Sequence, residues 1–492
     1  MSHSPPASTL AAPNSGYGTK GYRSFVLGAL LVVYIFNFID RTIINILTEP
    51  IKASFGLEDW QMGLLGGPAF AVLYTFLGIP IARFSERHNR VWIIAGAVFL
   101  WSLMTALCGF ATSFLMLFLF RVGVSIGEAG CTPPANSLIA DYYDPRNRST
   151  AVSIYALGVP LGGMFAAIFG GFIAGNITGD NAEALFRSWG WTFAVNAVDW
   201  SQIEGWRIAF VMVGLPGLLV SLIVKMTVKE PARGHSDPIA LQGMAKAGFG
   251  EAFKVLLSKP TYWHITVGAT IASFVGYGVG QFTTSFLIRT HGLTIQQAAL
   301  LFGIILGLMA AIGVFTGFLA DKVAKRHPTA LSWIPALGML LSVPFYLIGY
   351  SVDNLWIAMP PLMVAAMIHY FYLGPMYAVA GGVVDSRMRA TAVAITLFVV
   401  NLLGYGLGPP VIGILSSFLK TIVLSGADLG LTLDACKAVA ELNAEELAAC
   451  TNANAKGLQW SILIFSCGYA WAALHYLLAG KTLLRDMLAK AS

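Results

Sequence analysis

Near-continuous apolar runs of about 20 residues recur along the chain, and a helix needs about that length to cross the hydrocarbon core of a bilayer. Inside hydrocarbon every backbone N–H and C=O must find an internal partner, so such runs become helices. They predict helices near 24–48, 60–82, 91–111, 114–140, 149–175, 206–228, 261–288, 295–320, 330–350, 354–380, 388–418 and 457–480. The expected fold is an all-α polytopic membrane protein with 12 transmembrane helices in two six-helix halves. Composition agrees: 11% of residues are charged, against about 25% in soluble domains.

Twelve spans place both termini on one side. Under that scheme 21 Lys and Arg residues fall on the terminal side, seven on the other and two within the membrane. Cytoplasmic loops carry such an excess, so both termini are expected in the cytoplasm. This distribution accounts for the net charge of +6 without a nucleic-acid surface. Residues 1–23 read as a polar tail with no cleavable signal, 24–228 as the first bundle, 229–260 as a cytoplasmic linker, 261–480 as the second bundle and 481–492 as a tail. The linker stretch 250–260 reads as either an interfacial amphipathic helix or a solvated connector.

Residues 420–456 form an acidic outer loop containing Cys436 and Cys450. One straight helix would hold these cysteines ~21 Å apart. Asn443 followed by Glu446 looks like a cap opening a second short helix, and a hairpin there would allow a disulfide. The residues leave both outcomes open. Cys108, Cys131 and Cys467 lie in apolar runs and read as buried small residues.

The halves repeat each other. The stretch from Asp144 to Ile154 aligns with that from Asp385 to Ile395, with seven of eleven positions identical and a proline ten residues upstream of each Asp, Pro134 and Pro375. A second pair of loops matches Glu86 with Asp321. Internal repeats of this kind build secondary transporters. The charged loop residues Arg83, Glu86, Arg87, Arg90, Asp144, Arg146, Arg148, Asp321, Lys322, Arg326, Asp385, Arg387 and Arg389 read either as topology-setting cytoplasmic charges or as candidates for cytoplasmic gating.

Four ionisable residues lie deep in apolar runs: Asp40 and Arg41 on the first helix, Arg121 and Glu128 on the fourth. A charge at that depth is costly unless it faces protein or water, so function is the default expectation. Asp40 and Arg121 both sit roughly 11 Å below the outer rim and are expected to pair. Glu128 lies two turns deeper, within reach of Arg41. Two carboxylates beside permanently charged guanidiniums suit proton uptake and release. A buried structural ion pair is the plainer alternative. His369, on the tenth helix, is a candidate to bind substrate or titrate, although a hydrogen bond to a neighbouring helix is preferred. No cluster has metal-ligand spacing and no nucleophile–base arrangement is evident, so neither a cofactor nor enzymatic chemistry is expected.

The loop from Gly317 to Arg326 resembles the signature motif of the major facilitator superfamily, with Ala82 and Glu86 departing from it in the first copy. The segments around Ile39-Asp40-Arg41, Glu49 to Leu57, Gly63 to Phe70, Gly78 to Arg83 and Arg121 to Ala129 resemble bacterial spinster-type members. That resemblance implies alternating access, proton coupling through Asp40, Arg41, Arg121 and Glu128, and a lysophospholipid or sphingosine-1-phosphate-like substrate. Substrate contacts would then fall to Arg41, Arg121, Glu128 and His369. It also implies a monomer in a bacterial inner membrane, whose partners are lipid, protons and an amphiphilic or anionic small molecule. Sugar-acid and organic-anion symporters of the same superfamily share the Asp-Arg and Gly-Glu-Ala features; they, or a drug exporter of that superfamily, are the alternative.

Overall fold

The computed structural model describes residues 16–488 except 145–146, 178, 189, 191, 193–198, 201–202, 237–248, 306–321, 325, 386–387 and 428. No strand occurs among them. Eleven helices are long and apolar enough to cross a membrane. In chain order they are α1 (Lys20–Ile46), α2 (Asp59–Ser85), α3 (Arg90–Cys108), α4 (Phe114–Tyr142), α5 (Thr150–Asn176), α6 (Gly205–Thr227) and α7 (Pro260–His291). After the shorter apolar α8 (Ile295–Ile305) come α9 (Ala330–Ser351), α10 (Leu355–Gly382), α11 (Arg389–Ser425) and α12 (Ala444–Met487). The expected gating residues Arg146, Asp321 and Arg387 lie outside the described residues.

Sequence chemistry sets the helix ends. Ser113 and Asn354 cap α4 and α10, each accepting a hydrogen bond from a first-turn N–H. Glu58 and Gln61 form a reciprocal capping box at the start of α2. Thr294 and Gln297 do the same before α8. These caps extend the internal repeat into three dimensions. The α2 and α8 boxes are offset by 236 residues, and the left-handed glycines before them, Gly56 and Gly292, by the same amount. The α4 and α10 caps differ by 241 residues, the offset of Asp144 from Asp385.

The prolines shared by the halves also act alike. In α4 the first helical stretch ends at Glu128 and a second begins at Thr132 with prolines in its first turn. In α10 the first stretch ends at His369, and a 3₁₀ turn, Tyr370–Tyr372, precedes the next. A proline lacks the N–H that would continue the ladder, so a break near its amino side is the expected cost. α5 and α11 each contain a π-helical segment, Ala166–Gly170 and Val400–Tyr405.

The exterior is apolar. On α6, Met212, Leu215, Leu219, Leu222 and Met226 line one exposed face, which suits a lipid-facing helix. Linker residues Phe249–Leu257 are helical, with Ala252 and Leu256 buried and Phe249, Phe253 and Leu257 exposed.

Three expectations, the start of α12, the burial of Cys467 and the end of α11, need correction, and the open question of the disulfide is decided. α12 begins at Ala444 rather than near 457, because the Asn443–Glu446 capping box opens an Ala- and Glu-rich helix that runs directly into the apolar stretch. Cys436 and Cys450 are disulfide-bonded across the turn before and within that helix, with Cα atoms 5.6 Å apart. Cys467 is exposed rather than buried; it shares an outward face with Trp460, Ile464 and Trp471, where lipid can cover an apolar thiol. α11 also extends to Ser425, which brings Lys420 into the helix as a largely buried side chain.

Candidate functional site

The buried charge cluster lies where α1, α3 and α4 meet. Gly127 permits this meeting: a Cβ there would stand 2.7 Å from the Trp101 backbone nitrogen and 3.1 Å from the Ala97 carbonyl oxygen. α4 thus packs backbone-to-backbone on α3, and Glu128 is turned towards α1. Arg41 donates from Nε to the Glu128 carboxylate at 2.7 Å. The Glu128 side chain is fully buried and that of Arg41 is 14% exposed. Arg121 is also fully buried, but its Nη1 donates to the backbone carbonyl of Asp40 at 2.9 Å, not to its carboxylate. The expected Asp40–Arg121 carboxylate pair is therefore replaced by a side-chain-to-backbone contact. Asp40 Oδ1, Glu128 Oε1 and both amide atoms of Asn37 have no hydrogen-bond partner.

Arg41 is also held by aromatic faces. Its guanidinium carbon is 5.0 Å from the ring centre of Phe38, 4.5 Å from that of Phe70 and 4.4 Å from that of Tyr74. Tyr405 of α11 packs 5.5 Å from Phe70, so the cage reaches into the second half. Sequence reasoning did not find this cage; Phe70 and Tyr74 stand four apart in an apolar run and read as ordinary core.

His369 occupies the corresponding level of the second half. The 241-residue offset of the α4 and α10 caps maps Glu128 onto His369. Its Nδ1 lies 3.1 Å from the Ala365 carbonyl and 3.0 Å from the Tyr346 hydroxyl on α9. The ring is buried among Tyr346, Tyr370 and Tyr469.

At the end of the molecule bearing the disulfide, an ion network joins the halves. Arg289 of α7 donates twice to Asp59 and twice to Glu49, at 2.7 to 3.1 Å. Lys52 and Ser416 also donate to Asp59, at 2.5 and 2.7 Å. Asp59 is 2% exposed. Burial alone would push the Glu49 carboxyl up, but Arg289 and Lys52 outweigh it and hold it below its ordinary value. Nearby, Gln281 donates to Thr48 across the halves at 3.1 Å. Lys437, next to the disulfide, reaches Glu58 at 3.5 Å. The sequence signal for this network was the Glu49, Lys52, Glu58 and Asp59 cluster between two spans, which reads as ordinary loop charge.

The other end is arranged differently. Arg83, Glu86, Arg87, Lys322, Arg326, Asp385 and Arg389 are exposed there, and Asp144 and Arg148 are half-buried. Arg90 alone of the described candidates is fully buried, bonded to Asp141 at 2.5 Å, to Glu230 at 2.6 Å and to Ser137. Its partners come from the first half and the segment following it. Arg90 thus braces α3 and α4 against the start of the linker.

Two bundles closed on each other at one end, with buried charge between their helices, define an integral-membrane transporter rather than an enzyme. The model of the Major Facilitator Superfamily matches residues 30–409. An MFS-type efflux pump from Mycolicibacterium smegmatis is 30% identical over 394 residues, covering 80% of this chain and 84% of that protein. Protein spinster from Drosophila melanogaster is 26% identical over 446 residues, covering 87% of this chain and 68% of that one. The crystal structure of a bacterial homolog to the human lysosomal transporter spinster, inward-facing and unoccupied, is 43% identical with a TM-score of 0.88 over 95% of this chain and 99% of that one. The chain belongs to the major facilitator superfamily and, within it, to the spinster type.

Proposed function

We propose that the protein is a proton-coupled secondary transporter, working by alternating access, that moves a lysophospholipid or sphingosine-1-phosphate-like amphiphile. The observation that carries this reading is Arg41, bonded to Glu128 at 2.7 Å and stacked among Phe38, Phe70 and Tyr74. A guanidinium that an anionic headgroup can engage, set against aromatic faces that suit an acyl chain, matches an amphiphilic anion. Arginine stays charged at all working pH values, so the proton is carried by a carboxylate. An anion drawn to Arg41 weakens its hold on Glu128, and the freed carboxylate takes up a proton; Asp40 is the second carrier. Arg121 orients Asp40 through the backbone.

The charged network at the disulfide end and the exposed charges at the terminal end fit a state open towards the terminal side. We assign that side to the cytoplasm of a bacterial inner membrane, with a monomer as the working unit. The exposed loop residues, with Arg146, Asp321 and Arg387, would clamp the halves in the opposite state. Proteoliposome uptake of a lysolipid panel and of sugar acids, with and without an imposed pH gradient, tests the proposal. Lysolipid uptake that rises with the gradient is expected; uptake of sugar acids alone rejects the lipid assignment. The resemblance to an efflux pump favours one further reading, drug export, which a drug arm of the same panel distinguishes.

A further inference from the structure

The internal repeat points to a second polar subsite around His369, whose other members, Gly276 and Tyr469, no sequence motif or charge revealed. The 236-residue offset of the α2 and α8 capping boxes carries Asp40 onto Gly276 and Arg41 onto Tyr277. The 241-residue offset of the α4 and α10 caps carries Glu128 onto His369. The charge cluster of the first half therefore has an uncharged mirror in the second, formed by Gly276, Tyr277 and His369. These positions are brought together: a Cβ on Gly276 would lie 3.9 Å from His369 Nε2 and 3.2 Å from the Tyr469 hydroxyl.

Hydrogen bonding fixes what this mirror offers. The Ala365 carbonyl 3.1 Å from Nδ1 can only accept, so it holds the imidazole as the Nδ1–H tautomer. Nε2 is then a lone-pair acceptor, and both of these contacts are made by Nδ1. The Tyr469 side chain is 1% exposed, yet its hydroxyl has no hydrogen-bond partner. Buried polar atoms are paired in folded proteins, so an unpaired hydroxyl beside a free imidazole nitrogen needs an account. Gly276, which has no side chain, borders both atoms.

We propose that Gly276, His369 and Tyr469 form a subsite for a hydrogen-bond donor on the substrate, a hydroxyl or an ammonium group. Nε2 of His369 accepts from the donor, and the Tyr469 hydroxyl completes its shell. The subsite is joined to the Arg41 cage by aromatic rings: Tyr277 lies 4.3 Å from Tyr405, which lies 5.5 Å from Phe70. Recognition is then two-point, with the anion on the first half and the hydroxyl or ammonium on the second. A substrate engaging both points can draw the halves together, which a singly held one cannot. The assignment rests on the proposed amphiphilic-anion transport.

The test compares proteoliposome uptake of lysophosphatidic acid and of its 2-deoxy analogue, which lacks the free hydroxyl. Wild-type protein is expected to favour the hydroxylated lipid about tenfold, since a site built to hydrogen-bond a group discriminates against its absence. Tyr469→Phe and Gly276→Ala should each bring the ratio close to one. Tyr469→Phe removes one oxygen and keeps the ring, so folding is preserved. Equal uptake of the two lipids by wild-type protein, or a ratio that neither variant changes, overturns the subsite alone. Uptake of neither lipid overturns the amphiphile reading and the subsite with it.

Discussion

Arg289 on α7 grips Asp59 at the start of α2 with two parallel hydrogen bonds, 2.9 Å from Nη1 and 2.7 Å from Nη2. The two residues are 230 positions apart and belong to different halves. Both side chains are nearly fully buried, so the pair is a clasp rather than a surface contact.

Removing one partner of a buried pair costs about 3–5 kcal/mol where the remaining charge is left unpaired, and less here because Lys52 still holds Asp59 and Glu49 still holds Arg289. Arg289→Ala and Asp59→Asn should therefore shift the population towards opening at the disulfide end. Spin labels on Ala53 and Trp356, at that end of each half, should report a longer distance in both variants. An unchanged distance distribution would show that the clasp does not set this equilibrium.

The clasp should resist acid. Glu49 has a depressed protonation midpoint because Arg289 and Lys52 overcome its burial. Such a carboxylate contributes closure fully above its ordinary value of about 4.3, and the contribution fades as pH falls through the lowered one. The same label pair should give a constant distance between about pH 5 and 8 and a longer one only below about 4. A distance change near neutrality would refute this.

Arg41 should not tolerate replacement by lysine. An ammonium lacks the planar fork that bonds Glu128 while lying flat against Phe70 and Tyr74. Arg41→Lys is expected to lower uptake at least tenfold. Exchanging the pair as Arg41→Glu with Glu128→Arg should restore thermal stability without restoring uptake. Recovery of both would make the pair purely structural.

The Cys436–Cys450 bond closes a short loop with a sequence separation of 14, and loop-closure entropy at that length is worth about 3 kcal/mol. Cys450→Ser should lower the unfolding midpoint of the detergent-solubilised protein by several degrees. Reductant should reproduce the loss in the parent protein and leave the variant unaffected.

The helices were legible because lipid admits so few solutions: an apolar run of sufficient length must be helical. Asp40, Arg41, Arg121 and Glu128 stood out for the same reason, as charges in a medium that penalises them. Rotation about the helix axis was less legible. Placing Arg121 at the depth of Asp40 did not reveal that it would reach the carbonyl rather than the carboxylate. Glu49, Asp59 and Arg289 were missed because charge near a span end carries no penalty there and so no signal. Only the three-dimensional meeting of α7 with α2 removes them from water.

The contact between α2 and α11 has a consequence beyond fit. A Cβ on Gly63 would lie 2.5 Å from the Pro409 carbonyl oxygen, one on Gly67 2.6 Å from that of Gly406, and one on Gly413 2.5 Å from that of Asp59. Main chain lies on main chain, with few side chains between. Shutting this seam immobilises almost no rotamers, so it incurs little of the entropy loss that normally opposes a new interface. Dispersion between such surfaces fades within about an ångström of separation, so a half-shut seam recovers almost none of it. Closure here behaves as a snap fastener, either fully shut or undone.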